Sequence, residues 1–219
     1  MKILITGAAS GIGLACSQYY SSLSVTSIDK KDIDLTDTKA VSAFVEKSHE
    51  FDVFIHCAGI REIEAPHEMS HETWNNVMDV NLTASFILSQ GLIRHALANQ
   101  RPLKIVNIAS VSGMQAEPDR AAYVASKYAL IGLTKQLAFQ YGKYGITANA
   151  IAPGIIETPL TQHYFNDPVL ATRIKQAIPV GYWGQVEHVV SLVDVCLFNN
   201  YINGAVLVCD GGWTIGRTI

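Results

Sequence analysis

Short apolar runs alternate with longer stretches of helical periodicity along most of the chain, and this alternation constrains the fold more than any other feature. The short runs are almost continuously apolar, as expected for strands of a sheet that is buried on both faces. Strands are predicted at residues 2–6, 24–29, 52–57, 103–109, 146–152 and 204–209, and helices at 11–22, 37–49, 71–99, 121–143 and 186–199, with short helices or a loop at 157–178. The pattern predicts an α/β fold, a doubly wound parallel sheet with helices on both faces.

The connection after the second predicted strand is unusually short. Residues 30–35 read Lys-Lys-Asp-Ile-Asp-Leu. A parallel crossover needs about ten or more residues, so a strand at 32–35 would leave no room for a helix before it. We therefore expect the sheet to be shortened after its second strand.

Length and composition restrict the classes of protein to which the chain can belong. Its 219 residues suit one substantial domain, residues 1–219, better than two. A net charge of −3 argues against a nucleic-acid partner, which favours a basic face. The apolar run near the N-terminus, Ile3-Leu4-Ile5, is shorter than a signal peptide needs, and no run approaches the roughly 18 residues of a membrane span. We expect a cytoplasmic protein with no membrane partner.

Neither a disulfide framework nor a metal centre is predicted. No cysteine belongs to a C-x-x-C pair, and the apolar surroundings are typical of reduced, buried thiols at Cys16, Cys57, Cys196 and Cys209. His67 and His71 have the spacing of two ligands on a helix. However, Pro66 and the N-cap candidate Ser70 indicate a solvated helix entry there instead.

A glycine-rich turn follows the first predicted strand directly. The segment from Thr6 to Gly13 contains three glycines before the predicted helix, which allow a tight turn and a close approach of the backbone to a pyrophosphate. Asp29 ends the second strand, where a carboxylate can bind ribose hydroxyls and repel a 2′-phosphate. The pattern predicts a dinucleotide site that favours NAD over NADP, although the two lysines after Asp29 could meet a phosphate.

A tyrosine and a lysine share one face of the predicted helix at 121–143. Tyr123 and Lys127 are four residues apart, and Ser110 lies thirteen residues upstream of Tyr123. A phenol that acts as a base near neutral pH needs a pKa about three units below its usual value of about 10, which corresponds to roughly 4 kcal/mol. A lysine charge about 4 Å away can supply about that much at an effective dielectric constant of 20. A tyrosine and a lysine at this spacing are common by chance. They indicate a catalytic pair here because the glycine-rich turn predicts a cofactor site in the same chain.

Together these residues resemble the short-chain dehydrogenase/reductase family in its single-domain branch, and 3-oxoacyl-(acyl carrier protein) reductases in particular. The resemblance runs from residue 3 to the C-terminus. It is carried by Thr6-Gly7-x-x-x-Gly11-x-Gly13, Asn81, Ser110, Tyr123-x-x-x-Lys127, Pro153-Gly154-Ile155-Ile156-Glu157-Thr158 and Asp210-Gly211-Gly212. It implies a Rossmann-like parallel sheet of about seven strands, a nicotinamide cofactor, and hydride transfer with a secondary alcohol or ketone.

The resemblance also implies a role for each matching residue. Tyr123 would be the general acid/base, Lys127 would hold the nicotinamide ribose and lower the tyrosine pKa, and Ser110 would bind the substrate oxygen. Asn81 would seat a water that links Lys127 to solvent. Besides Tyr123 and Lys127, cofactor contacts are expected at Gly7, Ser10, Gly11, Ile12, Gly13, Asp29, Asp34, Leu35, Cys57, Ala58, Gly59, Pro153, Gly154, Ile156 and Thr158.

The substrate end of the site is less well specified by the sequence. The family places a substrate lid after the Pro-Gly motif, here at about residues 157–178. Substrate contacts are expected at Ser112, Met114 and His163, with weaker candidates at Glu117, Tyr164, Phe165 and Trp183. One departure from the family is His56-Cys57 in place of two asparagines, which we expect to affect cofactor affinity more than chemistry.

Several alternatives remain open at this point. The substrate could be a 3-oxoacyl thioester, a sugar or polyol, or a cyclic diol. A non-catalytic dinucleotide sensor is a different class, but it would have little reason to keep Ser110, Tyr123 and Lys127 together. The apolar tail at 212–219 and the leucine-rich helix at 121–143 favour a homo-oligomer, and the resemblance implies a tetramer or a dimer.

Overall fold

Six parallel strands form one sheet in the computed structural model, which describes residues 1–48 and 50–216. Its order is β2-β1-β3-β4-β5-β6, and every neighbouring pair is parallel. The strands are β1 (Lys2–Thr6), β2 (Ser24–Ile28), β3 (Val53–His56), β4 (Leu103–Ile108), β5 (Ile146–Pro153) and β6 (Val206–Cys209). Each lies within two residues of its prediction, and the parallel α/β fold is confirmed.

The strand count corrects one expectation, because the described residues contain six strands and not about seven. After β2 the chain turns at once, with the backbone N–H groups of Asp32 and Ile33 both donating to the carbonyl oxygen of Asp29. Residues 29–37 contain no strand. They are too few for a crossover helix followed by another strand. The predicted shortening is therefore confirmed, and β2 forms the edge of the sheet.

Eight α-helices connect and cover the described strands. They are α1 (Gly11–Tyr19), α2 (Thr38–Lys47), α3 (His71–Met78), α4 (Ala84–Ala98), α5 (Ala121–Tyr141), α6 (Gln162–Phe165), α7 (Pro168–Ala177) and α8 (Val186–Phe198). Ser70 caps α3 as predicted, since its hydroxyl accepts from the backbone N–H of Thr73. The predicted end of α2 at residue 49 falls outside the described residues. None of the described helices has the length and apolar character to cross a membrane.

The predicted helix at 71–99 is interrupted by a π-helical turn. Residues Asp79–Thr83 form this turn between α3 and α4. Such a turn contains one residue more than an α-helical turn and is frequent at functional sites. It leaves the apolar periodicity almost unchanged, so the sequence pattern did not reveal it.

Successive residues of each strand feed cores on opposite faces of the sheet. Leu4 packs into the core beneath α2, α4 and α5, whereas Ile3 and Ile5 pack into the core beneath α1 and α8. All three side chains are fully buried. The two cores fix the strands, so the segments after their carboxyl ends meet at one edge of the sheet, where ligands bind in this architecture.

Candidate active site

The glycine-rich turn brings the β1–α1 connection against the chain that follows β3. Gly7 has φ +68°, and a Cβ atom there would lie 2.7 Å from Cα and N of Ala58. A Cβ atom on Gly13 would overlap the carbonyl oxygen of Gly7. The first turn of α1 has no side-chain cap, so its backbone N–H groups are available to a ligand. The turn therefore fits the pyrophosphate of a dinucleotide.

A cleft of about 650 Å³ opens beside this turn and brings together most of the predicted cofactor residues. Its walls include Gly7, Ser10, Gly11, Ile12, Gly13, Asp29, Asp34, Leu35, Cys57, Ala58, Gly59 and Thr158. They also include residues that sequence reasoning missed, Ile60, Glu62, Thr73, Asn76 and Val80. The last three come from α3 and the π-helical turn, and no motif marks them.

The two aspartates at the far end of the cleft differ in their bonding. Asp34 Oδ1 accepts from the N–H and hydroxyl of Thr36, at 3.0 and 2.8 Å, and these bonds lower the pKa of Asp34. Asp29 uses its backbone in the turn, where its N–H donates to Asp32. Asp29 therefore has the carboxylate that is less committed to holding the chain.

A second cavity of about 400 Å³ adjoins the cleft and contains the predicted catalytic residues. Ser110, Tyr123 and Lys127 all line it. Five residues line both spaces, which makes them continuous: Ile12, Cys57, Gly59, Thr158 and Leu160. Of the remaining predicted cofactor residues, the second cavity contains Pro153, Gly154 and Ile156. A ligand that extends from the cleft would reach the Ser-Tyr-Lys group.

Burial dominates the electrostatics of the tyrosine–lysine pair. Lys127 Nζ donates to the carbonyl oxygen of Ile108 at 2.9 Å and lies 5.7 Å from the centroid of the Tyr123 ring. Desolvation lowers the pKa of Lys127 to about 8. Desolvation also raises the pKa of Tyr123, against the opposing effects of Ser110, Arg61 and Arg120. Burial is thus the largest influence on the Tyr123 pKa in the chain by itself, and the lowering of that pKa by Lys127 stays a prediction.

Asn81 sits in the π-helical turn and is fully buried. Its Oδ1 accepts from the N–H of Ile60 at 2.8 Å, and its Nδ2 donates to the carbonyl of Ile60 and to the hydroxyl of Ser126. The Ser126 hydroxyl in turn donates to the carbonyl of Tyr123. Asn81 thus ties the loop after β3 to the helix that carries Tyr123. Its predicted part in seating a water stays a prediction.

His56, which stands where the family has an asparagine, has a structural role. The imidazole is fully buried, and burial lowers its pKa to about 3, so it is neutral. Thr6 Oγ1 accepts from the N–H of Ala58, which leaves the hydroxyl proton for His56 Nδ1 at 2.9 Å. His56 therefore joins β1 to β3 beneath the glycine-rich turn, while Cys57 lines both cavities.

The far wall of the second cavity is charged. The Ser112 hydroxyl donates to Glu117 at 2.7 Å. Arg120 forms an ion pair with Glu117 and also donates to the hydroxyl of Tyr164. Ser112, Glu117 and Tyr164 line the cavity, and their contact with a substrate stays a prediction.

The other four predicted substrate residues lie outside the lining of this cavity: Met114, His163, Phe165 and Trp183. Met114 follows the 3-10 turn at Val111–Gly113 and is 44% exposed, while Ser112 before it and Gln115 after it line the cavity. His163 stands behind Arg61, whose Nη2 is 3.3 Å from the nearer ring nitrogen. Met114 is therefore corrected as a cavity-wall residue, and His163 contacts the wall through Arg61. Arg61 and Arg120 were missed, because neither belongs to a motif.

The two histidines with ligand spacing, His67 and His71, are both exposed. No group of three or more potential ligands occurs among residues 1–48 and 50–216. His67 lies 3.9 Å from Glu68, and both side chains are largely exposed.

Comparison with known proteins gives consistent matches. A family model described as enoyl-(acyl carrier protein) reductase matches residues 22–214. Gluconate 5-dehydrogenase of Gluconobacter oxydans (strain 621H) is 31% identical over 98% of this chain and 94% of its own length.

Two solved structures combine high similarity with a bound nicotinamide cofactor. A 4-hydroxyisoleucine dehydrogenase complexed with NADH superposes with a TM-score of 0.93 at 39% identity, over 99% of this chain and all of that one. A proposed NAD(P)-dependent gluconate 5-dehydrogenase from Beutenbergia cavernae, with NADP bound at low occupancy, has a TM-score of 0.90 at 30% identity, over 99% of this chain and 97% of that one.

Proposed function

The chain belongs to the short-chain dehydrogenase/reductase family and is an NAD(P)-dependent oxidoreductase, and we propose that Ser110, Tyr123 and Lys127 are the residues that carry its reaction. The observation that supports this most is their position in one cavity that is continuous with the glycine-rich cleft. The reaction is hydride transfer between a nicotinamide cofactor and a secondary alcohol or ketone.

Tyr123 is the proton donor and acceptor in this proposal. The nicotinamide, when bound, supplies hydride donation or acceptance at C4. In the reducing direction the Tyr123 hydroxyl gives its proton to the carbonyl oxygen, which becomes the hydroxyl of the product. In the oxidising direction the phenolate of Tyr123 takes that proton back. Burial raises the pKa of Tyr123, so the chain by itself holds the protonated phenol, which is the form that the reducing direction requires.

Ser110 and Lys127 have supporting roles. The Ser110 hydroxyl donates a hydrogen bond to the same substrate oxygen and steadies its charge as the proton moves. Lys127 holds the nicotinamide ribose, and its ammonium favours the phenolate of Tyr123. Asn81 positions Tyr123 and Lys127, because it joins the loop after β3 to α5, which carries both.

NAD is the proposed cofactor, with NADP less favoured. The carboxylate of Asp29 lies in the cleft, where it would bind ribose hydroxyls and repel a 2′-phosphate. Lys30 lines the same cleft, and its ammonium would suit a 2′-phosphate. The cofactor residues of this proposal are those that the sequence predicted in the glycine-rich turn, at Asp29, Asp34 and Leu35, and at the ends of β3 and β5.

The remaining features of the proposal concern the whole chain. Residues 1–219 form one domain in which about 157–178 serve as a substrate lid, supported by Leu160, Thr161, Tyr164 and Ile174 in the cavity wall. The four free cysteines suit a cytoplasmic location. A homo-oligomer, a tetramer or a dimer, is supported by Phe139 on α5, whose side chain is 87% exposed.

The experiment follows NADH absorbance with a panel of secondary alcohols and ketones that includes polyols and a 3-oxoacyl thioester. Turnover of any member supports the proposal, and the preferred member decides between a small polar substrate and the acyl thioester. NADH binding without turnover across the panel would contradict the proposal and favour the non-catalytic dinucleotide sensor.

A further inference from the structure

The lid end of the second cavity contains one cation, Arg61, whose charge no carboxylate balances in the described residues. Four charged side chains line the cavity: Arg61, Glu117, Arg120 and Lys127. Glu117 and Arg120 form an ion pair and cancel each other. Lys127 donates to the carbonyl of Ile108 at the end near the cofactor cleft. Arg61 has no carboxylate within ion-pair distance in the part of the chain that the structure describes.

Arg61 is held in place by neutral groups of the predicted lid. Its Nη2 donates to the carbonyl oxygen of Leu160 at 2.9 Å and contacts the ring of His163. Its guanidinium carbon lies 5.5 Å from the centroid of the Tyr164 ring, and that of Arg120 lies 5.9 Å from the same centroid. These contacts fix the orientation of the guanidinium before any ligand arrives, which lowers the entropic cost of binding.

The neighbours of Arg61 add no second net charge. Burial, followed by the charges of Arg61 and Arg120, lowers the pKa of His163. His163 is therefore neutral at pH 7. Burial raises the pKa of Tyr123, and the charge of Arg61 partly offsets this, so the guanidinium acts electrostatically on the proposed proton donor.

We propose that the substrate carries a carboxylate, which Arg61 binds at the lid end of the cavity while the carbinol or carbonyl lies at Ser110 and Tyr123. This inference rests on the proposed function and names the substrate class for it, a small hydroxy acid or oxo acid. A guanidinium presents five donors in a planar fork that matches a carboxylate, and only Nη2 is engaged in the described residues. The single unbalanced positive charge at the lid end suits a carboxylate better than a phosphate dianion, because Lys127, the other cation without a carboxylate partner, lies at the opposite end.

The test uses short oxo acids of four to six carbons, with the ketone at different distances from the carboxyl group, and the carboxamide of each. Acid and amide have nearly the same shape, so the charge is the main difference between them. With NADH, we expect kcat/KM for the preferred acid to exceed that of its amide at least tenfold, mostly through KM. Arg61→Gln should reduce this ratio to about threefold or less, and Arg61→Lys should retain part of it.

The control removes the same charge elsewhere. Arg94→Gln, at an exposed position on α4, should leave the acid-to-amide ratio unchanged. NADH affinity of the Arg61→Gln protein, measured by fluorescence, should match that of the wild type and show that the fold is intact. Equal turnover of acids and amides by the wild type, or an unchanged ratio in Arg61→Gln, would overturn this inference and leave the proposed function standing. Failure to reduce any ketone despite NADH binding would overturn both.

Discussion

The positive charge of Lys127 is poorly stabilised by its surroundings. It is 3% exposed and donates one recorded hydrogen bond, to the carbonyl of Ile108. Its pKa falls from 10.5 to about 8, which corresponds to about 3 kcal/mol of disfavoured charge. A residue placed at such a cost suits chemistry better than packing.

We predict that Lys127→Met raises the free energy of unfolding at pH 7 by about 2 kcal/mol and abolishes turnover. Between pH 8 and 10.5 the unfolded lysine holds more protons than the folded one, so this residue makes wild-type stability rise with pH. Below about pH 8 the full cost of the buried ammonium remains. Urea unfolding at several pH values checks both points, and a variant less stable than the wild type at pH 7 would contradict the prediction.

The proposed preference for NAD over NADP depends on Asp29. We predict that Asp29→Asn raises kcat/KM for NADP relative to NAD at least tenfold, because the charge that repels the 2′-phosphate is gone. Initial rates with both cofactors give the ratio. Asp34→Asn is the matched control, since an amide oxygen can still accept from Thr36, and it should change the ratio much less. An unchanged ratio in Asp29→Asn would show that another group determines the preference between NAD and NADP.

Site residues that belong to a local sequence motif could be predicted. Site residues that are placed by contacts between distant parts of the chain could not. Ser110, Tyr123 and Lys127 follow from spacing along one strand and one helix, and the structure brings them to one cavity. Arg61 gains its place only when Leu160, ninety-nine residues later, folds back over it. No periodicity or motif within reach of Arg61 encodes that contact.

The element that governs the cofactor cleft is the β1–α1 turn. A Cβ atom at Gly13 would overlap the backbone of Gly7, which cannot move away as a side chain could. We predict that Gly13→Ala weakens NADH binding at least tenfold and lowers the free energy of unfolding by about 1–3 kcal/mol. Fluorescence titration and urea unfolding measure the two effects.

The matched control for the turn is Gly132→Ala in α5. A Cβ atom there meets nothing within 4 Å, so the substitution should stabilise the helix by about 0.5–1 kcal/mol and leave NADH binding unchanged. If Gly13→Ala binds NADH as tightly as Gly132→Ala does, the close approach at the turn is not needed for the cofactor.

Prediction of helices and strands from the sequence missed the π-helical turn between α3 and α4. The sequence predicted one helix at 71–99, and the structure contains a π-helical turn at Asp79–Thr83 within it. Asn81 lies in that turn and bonds Ile60 and Ser126. One extra residue per turn barely shifts an apolar pattern, although it decides where a buried polar side chain points.

At the scale of the molecule, the sheet edge explains the shape of the cofactor cleft. With β2 at the edge, the far wall of the cleft comes from the turn at 29–37 instead of a further strand. The family resemblance implied about seven strands, whereas counting residues after Asp29 predicted the shortening. The number of residues after Asp29 predicted the strand count better than the family resemblance did, because a parallel crossover has a minimum length in every family.

The central claim is that Tyr123 transfers the proton while the rest of the chain binds and orients the reactants. The most direct test compares Tyr123→Phe with the wild type in kcat and in NADH affinity on one preparation of each protein. The substitution removes one oxygen atom at a buried position and keeps the ring. We predict a fall in kcat of about 10²–10⁴-fold, with NADH affinity unchanged within about threefold. A variant that keeps kcat within tenfold of the wild type would contradict the account.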